Sequence, residues 1–235
     1  MPKKRFIIID AFGLLHRAWH ALPPLKTKSG LVTNAAYGFT SILLRVLKEL
    51  KGTHIAVAFD RAEKTTRHEQ YEDYKATRVK QADEFYAQIP LVHEIVQAFD
   101  IPIFEKAGYE ADDLIGALSK QLDPDPDLET IIVTGDLDTL QLVDNNTKVY
   151  TLKRGISDSI MYDEEEVKKR YDGLGPDKIV DLKALAGDAS DNIPGVKGIG
   201  QVGAIKLLTD FGNLDNIYEY LEKHPDGQKI KDKTK

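Results

Sequence analysis

Three short apolar runs, each closing on an aspartate, most constrain what this chain can fold into. The runs are FIIID over 6–10, HIAVAFD over 54–60 and TIIVTGD over 130–136. Continuous apolar runs of this kind are typical of strands buried on both faces, and a fourth run covers 101–105. Helical spacing of apolar residues lies between the runs, at 35–50, 86–99 and 111–121. This alternation predicts an α/β fold with a mostly parallel sheet and right-handed crossovers.

The closing aspartates Asp10, Asp60 and Asp136 are expected at one edge of that sheet. Ligands of open α/β sheets bind in the crevice beyond the carboxyl ends of the strands. A single aspartate there would be explained by a turn or a helix N-cap, whereas three indicate a shared site.

A further group of acids opens a predicted helix in GYEADDLIGAL, residues 108–118. Glu110, Asp112 and Asp113 are each favoured near a helix N-terminus, where backbone N–H groups are unpaired and the macrodipole is positive. Their mutual repulsion nevertheless predicts a cation among them.

Composition limits what that cation site can be. The chain has 235 residues, of which 42% are hydrophobic, enough for one large domain or a domain with an appendage. It has no cysteine, which excludes disulfides, thiolate catalysis and cysteine zinc sites, and its six histidines lack HExxH spacing. Any metal site here must therefore be built from oxygen ligands. No apolar run approaches the roughly 20 residues of a membrane span, so we expect a cytoplasmic protein with no membrane partner.

The net charge of −6 argues against a nucleic-acid binder unless many of the acids surround divalent cations. The polar segment after Asp60 is too long for an ordinary connection and carries clustered cations with Tyr71 and Tyr74 among them. The cations are Arg61, Lys64, Arg67, Lys75, Arg78 and Lys80. This composition favours a lid over a phosphate chain; the alternative is a solvated helical excursion balanced by its own acids.

Residues 176–235 change character and become helical and loop-rich. Gly198 to Gly203 match the dinucleotide pattern GxGxxG, but a predicted helix over 176–186 precedes them where that motif needs a strand. We interpret GVKGIG as the hairpin of a helix-hairpin-helix, whose exposed N–H groups grip a DNA phosphate without reading sequence. The alternative is a glycine turn between packed helices.

Asp136-Leu137-Asp138-Thr139 also matches the nucleophile motif of haloacid-dehalogenase-type phosphatases. A phosphatase of that type would leave most of the other carboxylates without a role. Two Mg²⁺ ions about 3.5–4 Å apart account for the surplus, and in-line phosphoryl displacement is their chemistry. Lys75 and Arg78 are three residues apart, so they share a helix face and are predicted to reach the scissile phosphate from the lid.

Six motifs, in this order, resemble the 5′ nuclease (flap endonuclease) family, most closely the N-terminal 5′→3′ exonuclease domains of bacterial DNA polymerase I. They are DAFGLLHRAWHA, TNAAYGF, FDRAEKTTRHEQYEDYKATR, GYEADDLIGAL, TGDLDTLQLV and ALAGDASDNIPGVKGIG. The resemblance covers about residues 6 to 214. It implies a PIN-like, mostly parallel sheet flanked by helices, a helical arch and a C-terminal helical subdomain. The domains implied are a nuclease core over 1–170, with the arch at about 61–85, and a subdomain over 171–235, with the helix-hairpin-helix at about 188–212.

The resemblance also implies the site residues. The first metal falls to Asp10, Asp60, Glu110 and Asp112, the second to Asp136, Asp138 and Asp191, with Asp113 and Asp188 supporting. The residues expected to act in catalysis are Lys75, Arg78, Asp60 and Asp138. The residues expected to contact DNA are Arg67, Lys75, Arg78, Gly195, Lys197, Gly198, Gly200 and Lys206.

The implied cofactors are two Mg²⁺ ions, which Mn²⁺ replaces, with K⁺ at the helix-hairpin-helix as a lesser expectation. The implied reaction is hydrolysis of phosphodiesters in DNA with a 5′ flap, nick or overhang, which leaves 5′-phosphate products, in replication and repair. RNA primer ends are a further candidate substrate, a monomer is expected, and fusion to a DNA polymerase domain stays open. A helix-hairpin-helix module that binds DNA without cutting it is the alternative from another functional class.

Three positions depart from the family pattern: Leu137 replaces a basic residue, Thr66 replaces a phenylalanine, and Val202-Gly203 replaces Lys-Thr. None of them is a metal carboxylate. We therefore expect retained activity with a weaker grip on duplex, since a cation is lost and glycine costs about 1 kcal/mol in a helix.

Overall fold

A computed structural model describes residues 4–122, 125, 127–155, 158–227 and 230. It divides into two compact units, one formed by Met1–Thr66 and Lys80–Asp163 and the other by Arg67–Val79 and Glu164–Lys235. The stretch DPDPD over 123–127, whose composition predicts a loop, lies largely outside the described residues.

The first unit is built on a six-stranded sheet, as the alternation of apolar runs predicts. Its strands are β1 (Lys4–Asp10), β2 (His54–Ala58), β3 (Ile103–Phe104), β4 (Leu128–Thr134), β5 (Thr147–Arg154) and β6 (Asp158–Tyr162). Their order is β3-β2-β1-β4-β5-β6, and every pair is parallel except β5 with β6. The central strands are buried on both faces; Ile7, Ile8 and Ile9 of β1 have no exposed surface.

Helices of this unit bury their apolar faces. They are α1 (Ala11–Ala21), α2 (Asn34–Leu50), α4 (Asp83–Tyr86), α5 (Ile89–Ala98) and α6 (Ala111–Leu122). Between α2 and α4 lies a short helix with no buried residue, α3 (Thr66–Gln70), most of which belongs to the second unit. A 3₁₀ helix, Leu137–Leu142, follows β4. Phe39 of α2 and Ile115 of α6 are completely buried, as expected for the inward face of amphipathic helices.

Three expected boundaries need correction. The strands β2 and β4 end at Ala58 and Thr134, so Asp60 and Asp136 lie two residues beyond their strands instead of closing them. Asp136 leaves the sheet because its side chain caps the 3₁₀ helix. The helix expected over 86–99 begins at Ile89 and ends at Ala98, whereas Tyr86 closes α4. Pro90 lacks an N–H and suits the first turn of α5.

The second unit contains most of the polar segment, residues 67–79, and the helical region after β6. Its elements are α7 (Glu164–Arg170), a 3₁₀ turn (Pro176–Lys178), α8 (Ile179–Ala186), β7 (Gly187–Asp188), β8 (Ile193–Pro194), α9 (Gln201–Phe211) and α10 (Leu214–Lys223). No helix in the described ranges is long and apolar enough to cross a membrane.

The predicted helix-hairpin-helix is present between α8 and α9. The two short strands β7 and β8 pair antiparallel within its hairpin. Gly195 packs so closely on the end of α8 that a Cβ would lie 2.4 Å from the Gly187 nitrogen, which no side chain tolerates. The Val196 N–H also donates to the Leu185 carbonyl over 2.8 Å. A glycine is therefore required where the hairpin meets the first helix.

Candidate functional site

The sheet brings the three strand-following aspartates to one edge. Strand β1 lies between β2 and β4, with Asp10 level with Ala58 on one side and Ile9 level with Val133 on the other. All three strands run parallel, so their carboxyl ends meet at the same edge.

Asp10 is the buried centre of this edge, with 4% of its surface exposed. Its Oδ1 accepts the Gly13 N–H over 2.9 Å, which caps α1, and its Oδ2 accepts the Thr134 hydroxyl over 2.7 Å. A Cβ on Gly13 would lie 2.1 Å from Oδ2, so glycine is needed there to leave room for the carboxylate.

Burial is the largest influence on the Asp10 carboxyl and raises its pKa from the ordinary 3.8 to about 6. The hydrogen bonds from Gly13 and Thr134 lower that pKa, while the nearby carboxylates of Asp60 and Asp136 raise it further. These charges act on Asp10 across the strand edge, which is the convergence that the sequence predicted.

The turn after β4 is organised around Asp136. Its N–H donates to the Thr134 hydroxyl over 2.9 Å, and its Oδ1 accepts the Asp138 N–H over 2.8 Å. The Thr139 hydroxyl donates to the Asp136 carbonyl over 2.7 Å. Thr134 thus links Asp10 to Asp136 through one hydroxyl, and both Asp136 and Asp138 are fixed by the backbone at the start of the 3₁₀ helix.

The other candidate carboxylates lie at the start of α6 or are bonded to it. Asp60 Oδ1 accepts the Ala111 N–H over 2.9 Å, which ties the end of β2 to the first residue of α6. Glu110 is 8% exposed, and its N–H donates to Asp113 Oδ2 over 2.9 Å. Asp113 therefore caps the N-terminus of α6. The neighbouring residue Asp112 is half-buried.

The donor set of this edge suits a hard divalent cation. Among the described residues, no group of three or more histidine, cysteine, aspartate or glutamate side chains is arranged to hold a metal ion as it stands. All the candidate ligands are nevertheless carboxylates, the oxygen ligands that Mg²⁺ and Mn²⁺ prefer. A cation would also offset the cost of keeping Asp10 charged while buried.

The remaining expected ligands, Asp188 and Asp191, belong to the second unit and are paired there with cations. Asp188 Oδ2 accepts Lys183 Nζ over 2.9 Å, and its Oδ1 accepts the Ser190 N–H and hydroxyl. Asp191 accepts the Arg78 guanidinium over 2.6 Å.

The segment 67–79 is fastened to the loop 190–192 by further bonds. The buried Tyr74 donates its hydroxyl to Asp191 Oδ2 over 3.0 Å, and the Lys75 N–H donates to the Asp191 carbonyl over 2.9 Å. Asn192 Nδ2 donates to the Asp73 carbonyl over 2.8 Å. These bonds hold the Lys75 backbone and the Arg78 guanidinium next to Asp191. Both residues lie beyond α3, which ends at Gln70, and Lys75 has φ +57°, so the helix face expected to carry them is not formed.

The residues expected to contact DNA lie mostly in exposed positions of this unit. The hairpin exposes Gly195, Lys197, Gly198 and Gly200, and Lys206 is exposed on α9. Gly198 has φ +86°, and Gly200 directly precedes α9. Arg67 is half-buried on α3, where its carbonyl accepts the Tyr71 N–H.

Sequence reasoning missed four residues that shape these sites: Gly13, Thr134, Tyr74 and Ser190. Gly13 had a signal, since it stands three residues after Asp10, where an N-cap side chain finds its N–H donor. Thr134 stands two residues before Asp136, a spacing at which a hydroxyl commonly accepts a backbone N–H. Ser190 stands two residues after Asp188, the same short-range spacing at which a carboxylate accepts a backbone N–H. The bond of Tyr74 had no signal, because its partner Asp191 is 117 residues away in the chain.

Two protein-family models, for two consecutive domains, together match almost the whole chain. The model described as 5′-3′ exonuclease, N-terminal resolvase-like domain, matches residues 5–172. The model described as 5′-3′ exonuclease, C-terminal SAM fold, matches residues 174–235. The chain belongs to the 5′-3′ exonuclease family.

Curated relatives of this family member include DNA polymerase I of Caldicellulosiruptor bescii, 45% identical over 221 residues, and DNA polymerase I of Bacillus subtilis, 41% identical over 231 residues. The matches cover 93% and 98% of the chain but only 26% of either relative. The chain thus spans about a quarter of the length of these relatives.

Solved structures confirm the fold. The T5 D15 protein co-crystallised with metal ions superposes with a TM-score of 0.76 at 20% identity, over 92% of this chain and 79% of that one. The catalytic core of Rad2 in complex with DNA gives 0.59 at 22% identity, over 97% and 69%. The PIN-like fold with a helical C-terminal region is therefore confirmed. The two family models and the curated relatives confirm the resemblance to 5′ nucleases.

Proposed function

We propose that this chain is a structure-specific 5′ nuclease, a 5′→3′ exonuclease and flap endonuclease that hydrolyses DNA phosphodiesters with two divalent metal ions. The observation that carries the proposal is the edge at Asp10, where three strands deliver carboxylates around one buried acid whose pKa is raised to about 6. A site of this kind gathers negative charge in excess of any structural need, which favours a bound cation and a phosphate substrate.

The residues that would hold metal in the first unit are Asp10, Asp60, Glu110, Asp112, Asp136 and Asp138. Two Mg²⁺ ions, or Mn²⁺ in their place, supply Lewis acidity at the attacking and leaving oxygens of an in-line displacement. Support for a divalent metal comes from the T5 D15 protein, whose structure was determined with metal ions. K⁺ at the hairpin stays a prediction.

The chain's own residues orient these carboxylates. Thr134 and the Gly13 N–H fix both oxygens of Asp10, the Ala111 N–H fixes Asp60, and the Asp138 N–H fixes Asp136. The oxygens need no reorganisation when substrate arrives, which favours the transition state. The metal roles of Asp113, Asp188 and Asp191 and the catalytic roles of Lys75 and Arg78 stay predictions.

DNA with a 5′ flap, nick or overhang is the proposed partner, since the Rad2 neighbour is a complex with DNA and the curated relatives are DNA polymerases. The exposed hairpin at 195–200 offers backbone N–H groups and Lys197 to a phosphate. The proposal also includes RNA primer ends as a substrate, a monomeric state, a cytoplasmic location and a polymerase domain in the same polypeptide. It divides the chain into a nuclease core over 1–170 and a helical subdomain over 171–235.

The decisive experiment is cleavage of a 5′-labelled flap duplex with Mg²⁺, followed by product length and end chemistry. Asp138→Ala and Asp60→Ala are expected to lower the cleavage rate by about 100-fold or more, since both remove a ligand oxygen. Binding of the same duplex in Ca²⁺ is expected to persist. Asp144→Ala is the matched control, because Asp144 is an aspartate of the same unit that is paired with Lys120 instead.

Full activity in both variants would overturn the proposal. Binding without Mg²⁺-dependent cleavage by the unmodified chain would support a non-cleaving helix-hairpin-helix module. Hydrolysis of a small phosphomonoester, with no effect of Lys197→Ala, would support the phosphatase alternative.

A further inference from the structure

Helix α1 carries two histidines on one face. His16 and His20 are four residues apart, so their side chains lie one above the other. Their Nε2 atoms are 3.3 Å apart and their ring centroids are 4.5 Å apart. His20 is exposed and His16 is half-buried, so the pair is open to solvent.

The two nitrogen atoms have the separation that a tetrahedral metal ion imposes. Zn–N bonds of about 2.0–2.1 Å at tetrahedral angles place two ligand nitrogens about 3.3–3.4 Å apart. The observed 3.3 Å matches the edge of such a tetrahedron. The same two nitrogens form a ring-to-ring hydrogen bond without metal, so the pair is already held at this separation.

A third polar group lies at the same spacing. The Gln81 side-chain amide is 3.3 Å from His16 Nε2, and its amide oxygen is a further oxygen ligand when the amide is turned. The rings of Phe12 and Phe85 lie 6.5 and 6.0 Å from the His16 ring, between centroids. These aromatic contacts restrict the His16 ring, which lowers the entropy that binding would cost.

We propose that His16 and His20, with the Gln81 amide, form a binding site for a divalent transition-metal ion of the Zn²⁺ class. Imidazole nitrogen binds Zn²⁺, Ni²⁺ and Cu²⁺ and discriminates against Mg²⁺ and Ca²⁺. This site departs from the oxygen ligands expected from the sequence, because a helical spacing of four residues brings two imidazole nitrogens together. The site is distinct from the carboxylate edge, because His16 stands six residues, about 9 Å of helix, beyond Asp10. A metal here would fasten α1 to the segment that carries Gln81, whether or not the chain is a nuclease.

The test is a titration of Zn²⁺ into the full chain. Excess Mg²⁺ is present to occupy the oxygen ligands. NMR follows the histidine ring signals, and calorimetry measures the heat of binding. The ring signals of His16 and His20 are expected to shift together, at one equivalent of Zn²⁺. Replacing His20→Ala together with Ala21→His keeps six histidines but moves one ring around the helix. Loss of the second ligand is expected to weaken binding at least about tenfold.

His54→Gln is the matched control, because His54 is an exposed histidine of the same unit that lies outside the pair. It is expected to leave Zn²⁺ affinity unchanged. Equal affinity of the histidine-shifted variant, or Zn²⁺ shifts that spare the His16 and His20 rings, would overturn the proposal. His16→Gln gives a second reading if the shifted variant unfolds.

Discussion

The aspartates of the sheet edge and those of the second unit share a residue type but have opposite surroundings. Asp10 is buried, receives a backbone N–H and a hydroxyl, and feels the charges of Asp60 and Asp136. Asp188 and Asp191 instead receive the charged groups of Lys183 and Arg78. We therefore expect the edge to lower its free energy by taking up a cation from outside, whereas the second unit already supplies its own.

Removal of the Thr134 hydroxyl is expected to destabilise the sheet edge most. Thr134→Val keeps the shape but leaves Asp10 Oδ2 and the Asp136 N–H without that partner. We expect the free energy of unfolding to fall by about 2–4 kcal/mol in urea denaturation, since a buried carboxylate oxygen and a partly buried N–H lose a hydrogen bond.

Thr147→Val is the matched control for this prediction. Thr147 is fully buried on β5, and its hydroxyl has no hydrogen-bond partner among the described residues. Replacing that hydroxyl with a methyl group is expected to leave stability unchanged or to raise it. If the two variants lose stability equally, the hydrogen-bond network at the edge is not what stabilises it.

Asp10→Asn tests the cost of the buried charge. The pKa of Asp10 is about 6 in the folded chain, above the ordinary 3.8, so the folded state binds the extra proton between these values. The contribution of Asp10 to stability is therefore fully present below pH 4 and is lost as pH rises through 6. In metal-free protein at pH 8, Asp10→Asn is expected to raise the free energy of unfolding by about 1–2 kcal/mol.

The same measurement at pH 4 and with added Mg²⁺ provides the contrast. The gain is expected to disappear at pH 4, where the wild-type acid is already protonated. Added Mg²⁺ is expected to stabilise the wild-type chain more than Asp10→Asn. A gain that is the same at pH 4 and pH 8 would contradict the charge explanation.

The pair in the second unit is expected to show a smaller effect. A double-mutant cycle with Arg78→Ala and Asp191→Asn is expected to give a coupling free energy of about 0.5–1.5 kcal/mol, because the bond is charge-assisted but the Arg78 side chain is 47% exposed. The control cycle uses Lys80 and Asp83, an ion pair that is mostly in water at 76% and 90% exposure. Its coupling is expected to be close to zero, and equal coupling in both cycles would mean that the Arg78 bond is also only a surface contact.

The smallest effect is expected at Asp113. Asp113→Asn keeps an oxygen for the Glu110 N–H and loses only the favourable charge at the helix N-terminus, about 0.3–1 kcal/mol. Asp112→Asn is expected to lower flap cleavage by about 10–100-fold, whereas Asp113→Asn leaves it within about threefold. The reverse order of activities would assign the metal contact to Asp113.

Much of the architecture was readable from local pattern. The runs ending near Asp10, Asp60 and Asp136 predicted the parallel sheet and the edge where its carboxylates meet, because burial on both faces demands continuous apolar residues. The exact ends of β2 and β4 could not be predicted. At the end of β4, capping of the 3₁₀ helix by Asp136 competes with the backbone hydrogen bonds of the sheet.

By itself, the sequence determined the fold class, the crowding of carboxylates and the resemblance to 5′ nucleases, because these depend on periodicity and on motifs read along the chain. Only the tertiary structure decided which groups satisfy those carboxylates. Thr134 is 124 residues from Asp10, and Arg78 is 113 residues from Asp191. A hydrogen bond is made or lost when the distance between its two atoms changes by a few tenths of an ångström. For residues so far apart in the chain, the packing of the whole unit sets that distance, and local preference does not.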